Sequence, residues 1–189
     1  LMLSNISGKM TAQNQKTPET QAGQPEIKYS SFALQQAIDS VIPRGVPEGY
    51  GKDLGVDYEK PEEALNIMAA LDGDLYDDGK IKFSDLSVDA QQRYIKMGMS
   101  VACEFCCGAT TLIQRNGQPA CGCAHSYSMR GLAKYLLQNH PNDFTDGQIL
   151  EELGKWKTLY FPGVLAQKAQ ELKEKGIEFN YINLASNKY

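Results

Sequence analysis

The chain is sparing in the residues that most quickly betray a function. It has one tryptophan, two histidines and five cysteines in 189 residues. Five cysteines are too few for the disulfide scaffold of a small secreted domain, and an odd number cannot all pair within the chain. CxxCH is absent, which disfavours covalent c-type haem attachment. No stretch is long and apolar enough to span a bilayer, so no membrane span is expected. Cations are outnumbered as well, with 19 Lys and Arg against 23 Asp and Glu for a net charge of −4. With no basic stripe interleaved with aromatics, nucleic acid is not an expected partner. Internal repeats are also missing.

All five cysteines fall between positions 103 and 123, in the runs Cys103-Glu104-Phe105-Cys106-Cys107-Gly108 and Cys121-Gly122-Cys123-Ala124-His125. Between the runs lies Asn116-Gly117, the dipeptide favoured by a two-residue type I′ turn because both central residues need positive φ. The spacing predicts a β-hairpin of strands 110–115 and 118–123, with Arg115 opposite Gln118. In that register Cys121 opposes Leu112, Cys123 opposes Thr110 and His125 opposes Gly108, which brings the two cysteine runs together.

CxxC followed by glycine, with CxC downstream, points to thiolate ligation of one ion. Cys103, Cys106, Cys121 and Cys123 form the expected tetrahedral set. Zinc suits it best, while an iron–sulfur cluster and Cu(I), the latter aided by Met97 or Met99, remain alternatives. In an extended strand Cys121, Cys123 and His125 share a face, but Cys121 and His125 then lie about 13 Å apart. His125 therefore joins the set only if the chain bends at Gly122. Cys107 points away from Cys106 in extended backbone, as a buried thiol, a ligand to a second ion or a reactive thiol. The competing reading is two disulfides and one thiol, joining Cys103 or Cys106 to Cys121 or Cys123.

Apolar periodicity and capping signals predict that most of the remainder is helical. Ser30 or Ser31 opens a helix bearing Leu34, Ala37, Ile38 and Val41, closed by Pro43. Pro61 begins another, and Ser87 caps a third that leads into the first cysteine run. Residues 126–139 place Met129, Leu132, Ala133, Leu136 and Leu137 on one face, with Arg130, Lys134 and Gln138 on the other. The N-terminus of this helix, capped by Ser126 or Ser128, would aim its positive dipole end at the thiolates. Thr145-Asp146-Gly147-Gln148 has the pattern of a capping box, and Pro162 ends the helix it begins. A last helix stops at Gly176. Ile177, Phe179 and Tyr181 then alternate with polar residues, as an edge strand or extended arm.

The expected fold is α+β and mainly helical, a small metal-binding β-hairpin with a cysteine knuckle packed on amphipathic helices. Its organisation is a polar tail over 1–29, a single domain over 30–176 holding the hairpin at 103–125, and a C-terminal strand or arm over 177–189. A second ion site is suggested at 74–85, where Asp74, Asp78 and Asp85 take positions one, five and twelve of a calcium loop around Gly79. Tyr76 at position three departs from that pattern, and a solvated acidic turn is the competing reading. The start at Leu1-Met2 and the polar tether over 8–28 suggest a processed, exported or surface-associated chain, with a cytoplasmic location left open.

The runs GVPEGYGKDLGV, CEFCCG, ACGCAHSYSMRGLAKYLLQNH and ILEELGKWKTLYFPG resemble a family of uncharacterised, often exported-looking proteins of archaea and candidate-phylum bacteria. The similarity covers about residues 43–163. It implies a shared metal-site module and supplies no substrate.

The first functional expectation is a non-enzymatic thiolate metal-binding protein with a structural, metal-carrying or electron-transfer role. A thiol- or metal-dependent enzyme is the rival. CxxC in oxidoreductases opens a helix after a strand, whereas here it precedes the expected hairpin, and Glu104 is the only nearby carboxylate that could serve a hydrolase. A third reading is a subunit of an extracellular assembly or filament, self-associating through its terminal arms.

Overall fold

A computed structural model of the chain describes residues 31–74, 79–102 and 104–189, the side chains of Ser31, Leu34, Glu104 and Cys106 excepted. Among the described residues the regular structure is helical: α1 (Ser31–Val41), α2 (Gly51–Leu54), α3 (Pro61–Ala69), a 3₁₀ turn (Phe83–Asp85), α4 (Val88–Gly98), α5 (Glu104–Cys107), α6 (Ala124–Asn139), α7 (Asp146–Tyr160), α8 (Pro162–Glu174) and α9 (Tyr181–Ala185).

The caps set these boundaries. Ser87 accepts from the Ala90 amide to open α4, and Thr145 and Gln148 close a reciprocal capping box on α7. Pro61 and Pro162 sit in the first turns of α3 and α8, where a missing N–H costs nothing.

The centre of the fold is α6. Eleven of its 16 residues are buried, on every side of the helix. Leu132 and Leu136 meet Met68, Ile149, Leu153 and Trp156 in the main core, and Gly131 lets α3 approach so closely that a Cβ there would stand 2.0 Å from the Met68 carbonyl oxygen. Gly154 does the same for α9, where a Cβ would stand 2.2 Å from the Tyr181 oxygen. A second cluster, with Val41, Leu165, Leu172 and Leu184, joins α1, α8 and α9.

One polar network inside is centred on Glu152. Glu152 accepts from Tyr50 Oη at 2.7 Å, from Tyr58 Oη and from Lys155 Nζ at 2.7 Å, and the Trp156 indole donates to Tyr50 Oη at 2.8 Å. Burial and the Glu152 charge push both tyrosine pKa values above their usual range, which keeps the phenols as donors. Burial alone would lower the Lys155 pKa, but its bond and attraction to Glu152 outweigh this and raise it.

Three expectations are corrected. The β-hairpin is not formed, and with it falls the α+β class: among the described residues there is no strand, only isolated bridges, one of them pairing Ile113 with Pro119. Gly117 alone takes positive φ, at 81°, while Asn116 does not, so the type I′ turn is ruled out. Gln114 instead donates to the Gln118 carbonyl at 2.7 Å and accepts from the Gly117 amide at 3.0 Å, giving a three-residue loop and a register one residue away from the expected one. The Leu112 amide, which would complete the pair with Ala120, is spent on the Gly98 carbonyl, so the ladder goes no further.

The second correction concerns Arg130 and Lys134, expected on the solvent face of their helix; both are 0% exposed. The third is the C-terminal strand. Residues 181–185 form α9, and its C-terminal end docks on the same chain: Val101 pairs with Ser186, Lys157 Nζ donates to the Ala185 carbonyl at 3.4 Å and Lys168 Nζ to the Ser186 carbonyl at 2.8 Å. These ammonium groups meet carbonyls at the negative end of α9.

Candidate functional site

Although the hairpin is absent, the two cysteine runs do meet. The first run is wound into α5, which ends at Cys107, and the second enters α6 directly. Cys107 and Cys121 are joined as a disulfide, with Cα atoms 6.9 Å apart and a sequence separation of 14. Closing a loop of that length stabilises a fold by about 3 kcal/mol in the chain-entropy account. Cys107 is exposed, whereas Cys121 is buried in the main core.

Cys123 is the N-cap of α6, a place expected for Ser126 or Ser128. Its sulfur accepts from the Ser126 amide at 3.5 Å and its S–H donates to Ser126 Oγ at 3.4 Å. The first-turn N–H groups and the positive end of the helix dipole favour negative charge on that sulfur. Cys103 and the side chain of Cys106 lie outside the described residues. Among the described residues, no three His, Cys, Asp or Glu side chains are grouped so as to hold a metal ion.

The ring of His125 lies against Tyr160 and Phe161, with centroids 5.2 Å and 4.7 Å away, in the angle between α7 and α8. Its Nδ1 is buried without a hydrogen bond. Elsewhere along the same segment, Gly122 and Ala124 border a cavity of about 440 Å³, with Asp72 and Tyr127 in its wall.

Beneath this segment is a buried ionic group that the sequence reading missed. Arg130 Nε meets Asp72 Oδ2 at 2.6 Å, Lys134 Nζ meets Asp72 Oδ1 at 2.6 Å and also Asp74, and all but Asp74 are fully enclosed. Arg130 Nη1 donates to the Cys121 carbonyl at 2.9 Å and its guanidinium lies 4.8 Å from the centre of the Tyr127 ring. The only sequence signal is the spacing of two cations four apart on a helix otherwise rich in apolar and small residues.

The proposed calcium ligands are dispersed in what they do. Asp74 accepts from the Phe83 amide at 2.9 Å and faces Lys134, Asp85 accepts from the Lys82 amide at 2.9 Å, and Asp78 is outside the described residues. No helix among the described residues is long and apolar enough to cross a membrane. No protein-family model, curated protein or solved structure matches this chain.

Proposed function

We propose that the protein is a non-enzymatic thiolate metal-binding protein, working at the cell surface or outside the cell, whose ion is held by Cys103, Cys106, Cys121 and Cys123 when these are reduced. The observation that carries the reading is the meeting of the two cysteine runs at the N-terminus of α6, with Cys107 bonded to Cys121 and Cys123 as the helix cap. Sulfur donors from two separate segments, beside amides and a helix dipole that favour thiolate, are what a soft or borderline divalent ion needs. Zinc is the preferred ion on these grounds. A disulfide in the resting chain also suits an oxidising compartment.

The test is elemental analysis of the full chain, purified under reducing conditions without added metal, alongside Cys106→Ser and Cys121→Ser. One equivalent of metal is expected in the unaltered chain, with ion and thermal stability lost together in each variant, because ligation energy is also folding energy when a site ties two segments. Full occupancy and unchanged melting in both variants overturn the reading.

The disulfide favours a second reading, a thiol–disulfide oxidoreductase using these cysteines. It is distinguished by turnover: catalytic reduction of a small-molecule disulfide by the metal-free chain supports it.

A further inference from the structure

The Cys107–Cys121 bridge joins unlike surroundings: Cys107 is exposed at the end of α5, whereas Cys121 is 8% exposed in the main core. We propose that Cys107 is a modification site for a low-molecular-weight thiol, which opens the bridge from the solvent side and stays on Cys107 as a mixed disulfide. The step uses the bridge alone and does not depend on a bound ion, so it goes beyond the metal-binding reading.

The surroundings of the two cysteines set the direction of the exchange. A thiolate arriving from solvent meets Cys107 and not the enclosed Cys121, so Cys121 becomes the leaving group. It departs beside positive charge: Arg130 Nη1 donates to the Cys121 carbonyl at 2.9 Å, and α6 begins at Ala124, which puts the positive end of its dipole where the chain leaves Cys121. The segment between the cysteines has other anchors. The Leu112 amide bonds the Gly98 carbonyl at 3.0 Å, Asn187 Nδ2 donates to the Met99 carbonyl at 2.9 Å and the Thr110 carbonyl at 3.0 Å, and the Ala120 amide donates to the Leu112 carbonyl at 3.2 Å. With Thr110, Leu112 and Cys121 held in this way, the bridge opens without unfolding of the chain.

The exchange conserves electrons. The small thiol gives its proton to solvent, and its thiolate bonds to the Cys107 sulfur as the Cys107–Cys121 bond breaks. Cys121 leaves with that electron pair and takes up a proton. One disulfide is consumed and one is formed, so no oxidant is needed. Return attack by Cys121 on the mixed disulfide restores the bridge and releases the thiol.

The test uses the full chain, purified without reductant and incubated folded with reduced glutathione. Exchange is quenched with acid, free thiols are alkylated and the peptides are mapped by mass spectrometry. Glutathione should appear on Cys107, together with alkylated Cys121, in at least about tenfold excess over glutathione on Cys121. Cys121→Ser, which leaves Cys107 unbridged to Cys121, should take up glutathione at Cys107 from oxidised glutathione. Equal labelling of Cys107 and Cys121, glutathione carried only by another cysteine, or a bridge that opens only when urea unfolds the chain overturns the proposal. So does a chain purified without the bridge, or a Cys121→Ser chain that stays unlabelled at Cys107. None of these outcomes measures bound metal, so the metal-binding reading stands or falls on its own elemental analysis.

Discussion

Arg130 joins the ionic core to the cysteine segment: its Nη1 donates to the Cys121 carbonyl at 2.9 Å while its Nε holds Asp72 at 2.6 Å, with both side chains fully enclosed. Removing the guanidinium leaves Asp72 with one of its two cations and the Cys121 carbonyl without this donor. Breaking a buried pair from one side costs about 3–5 kcal/mol. Arg130→Met should lose that much in denaturant unfolding, and Cys121 in the reduced variant should alkylate faster than in the unaltered chain. Unchanged stability and alkylation would remove Arg130 as the support of Cys121.

Gly131 and Gly163 make a pair of opposite sign. A Cβ at Gly131 meets the Met68 carbonyl at 2.0 Å, whereas at Gly163 in α8 nothing stands within 4 Å. Gly131→Ala should destabilise by about 1–3 kcal/mol or more as α3 is pushed off α6. Gly163→Ala should stabilise by about 0.5–1 kcal/mol through lower backbone entropy in the unfolded chain. Equal effects in urea titrations would contradict the close approach of α3 and α6.

Asp146 opens α7 and is bonded by Arg93 Nε at 2.7 Å and Lys96 Nζ at 3.1 Å. Burial would raise its pKa, but the bonds to the two cations prevail and hold it below the usual carboxylate range. A carboxylate with a lowered folded pKa stabilises the fold above its unfolded pKa and loses that contribution as pH falls through the folded one. Asp146→Asn should therefore be less stable than the parent at pH 7, and the gap should close as both are acidified below about pH 4. A gap independent of pH in urea melts would mean the carboxylate charge contributes nothing.

His125 packs on Tyr160 and Phe161 from the first turn of α6. If four thiolates complete the shell, His125→Ala loses packing and keeps the full metal stoichiometry. Loss of the ion in this variant, measured by elemental analysis, would place a nitrogen in the shell and open a position for exchange.

Several elements could be read from local chemistry. The Thr145 and Gln148 box, the Ser87 cap and Pro61 act within a few residues, so sequence alone locates the starts of α3, α4 and α7, while Pro162, read as the end of one helix, also opens α8. The meeting of the two cysteine runs was also legible, though through the wrong element. Asn116-Gly117 is a strong turn signal, but Asn116 does not take positive φ, and the Leu112 amide is spent on the distant Gly98 carbonyl, so the pairing stops at the single Ile113–Pro119 bridge. The burial of Arg130 and Lys134 was hidden because their partner Asp72 lies some sixty positions earlier, and two cations four apart look the same on a solvated face. At the C-terminus, alternation at 177–181 suggested a strand, whereas residues 177–180 have no regular structure and the close seat offered by Gly154 and the buried lysines holds a helix from Tyr181 on.

The most direct measurement is the absorption spectrum of the fully reduced chain titrated with cobalt(II). Ligation by Cys103, Cys106, Cys121 and Cys123 predicts saturation at one equivalent, with sulfur-to-metal charge-transfer bands and the strong visible bands of tetrahedral cobalt, both weakened in Cys106→Ser. A spectrum that stays that of hydrated cobalt, with every cysteine reactive towards a thiol reagent throughout the titration, would contradict the account.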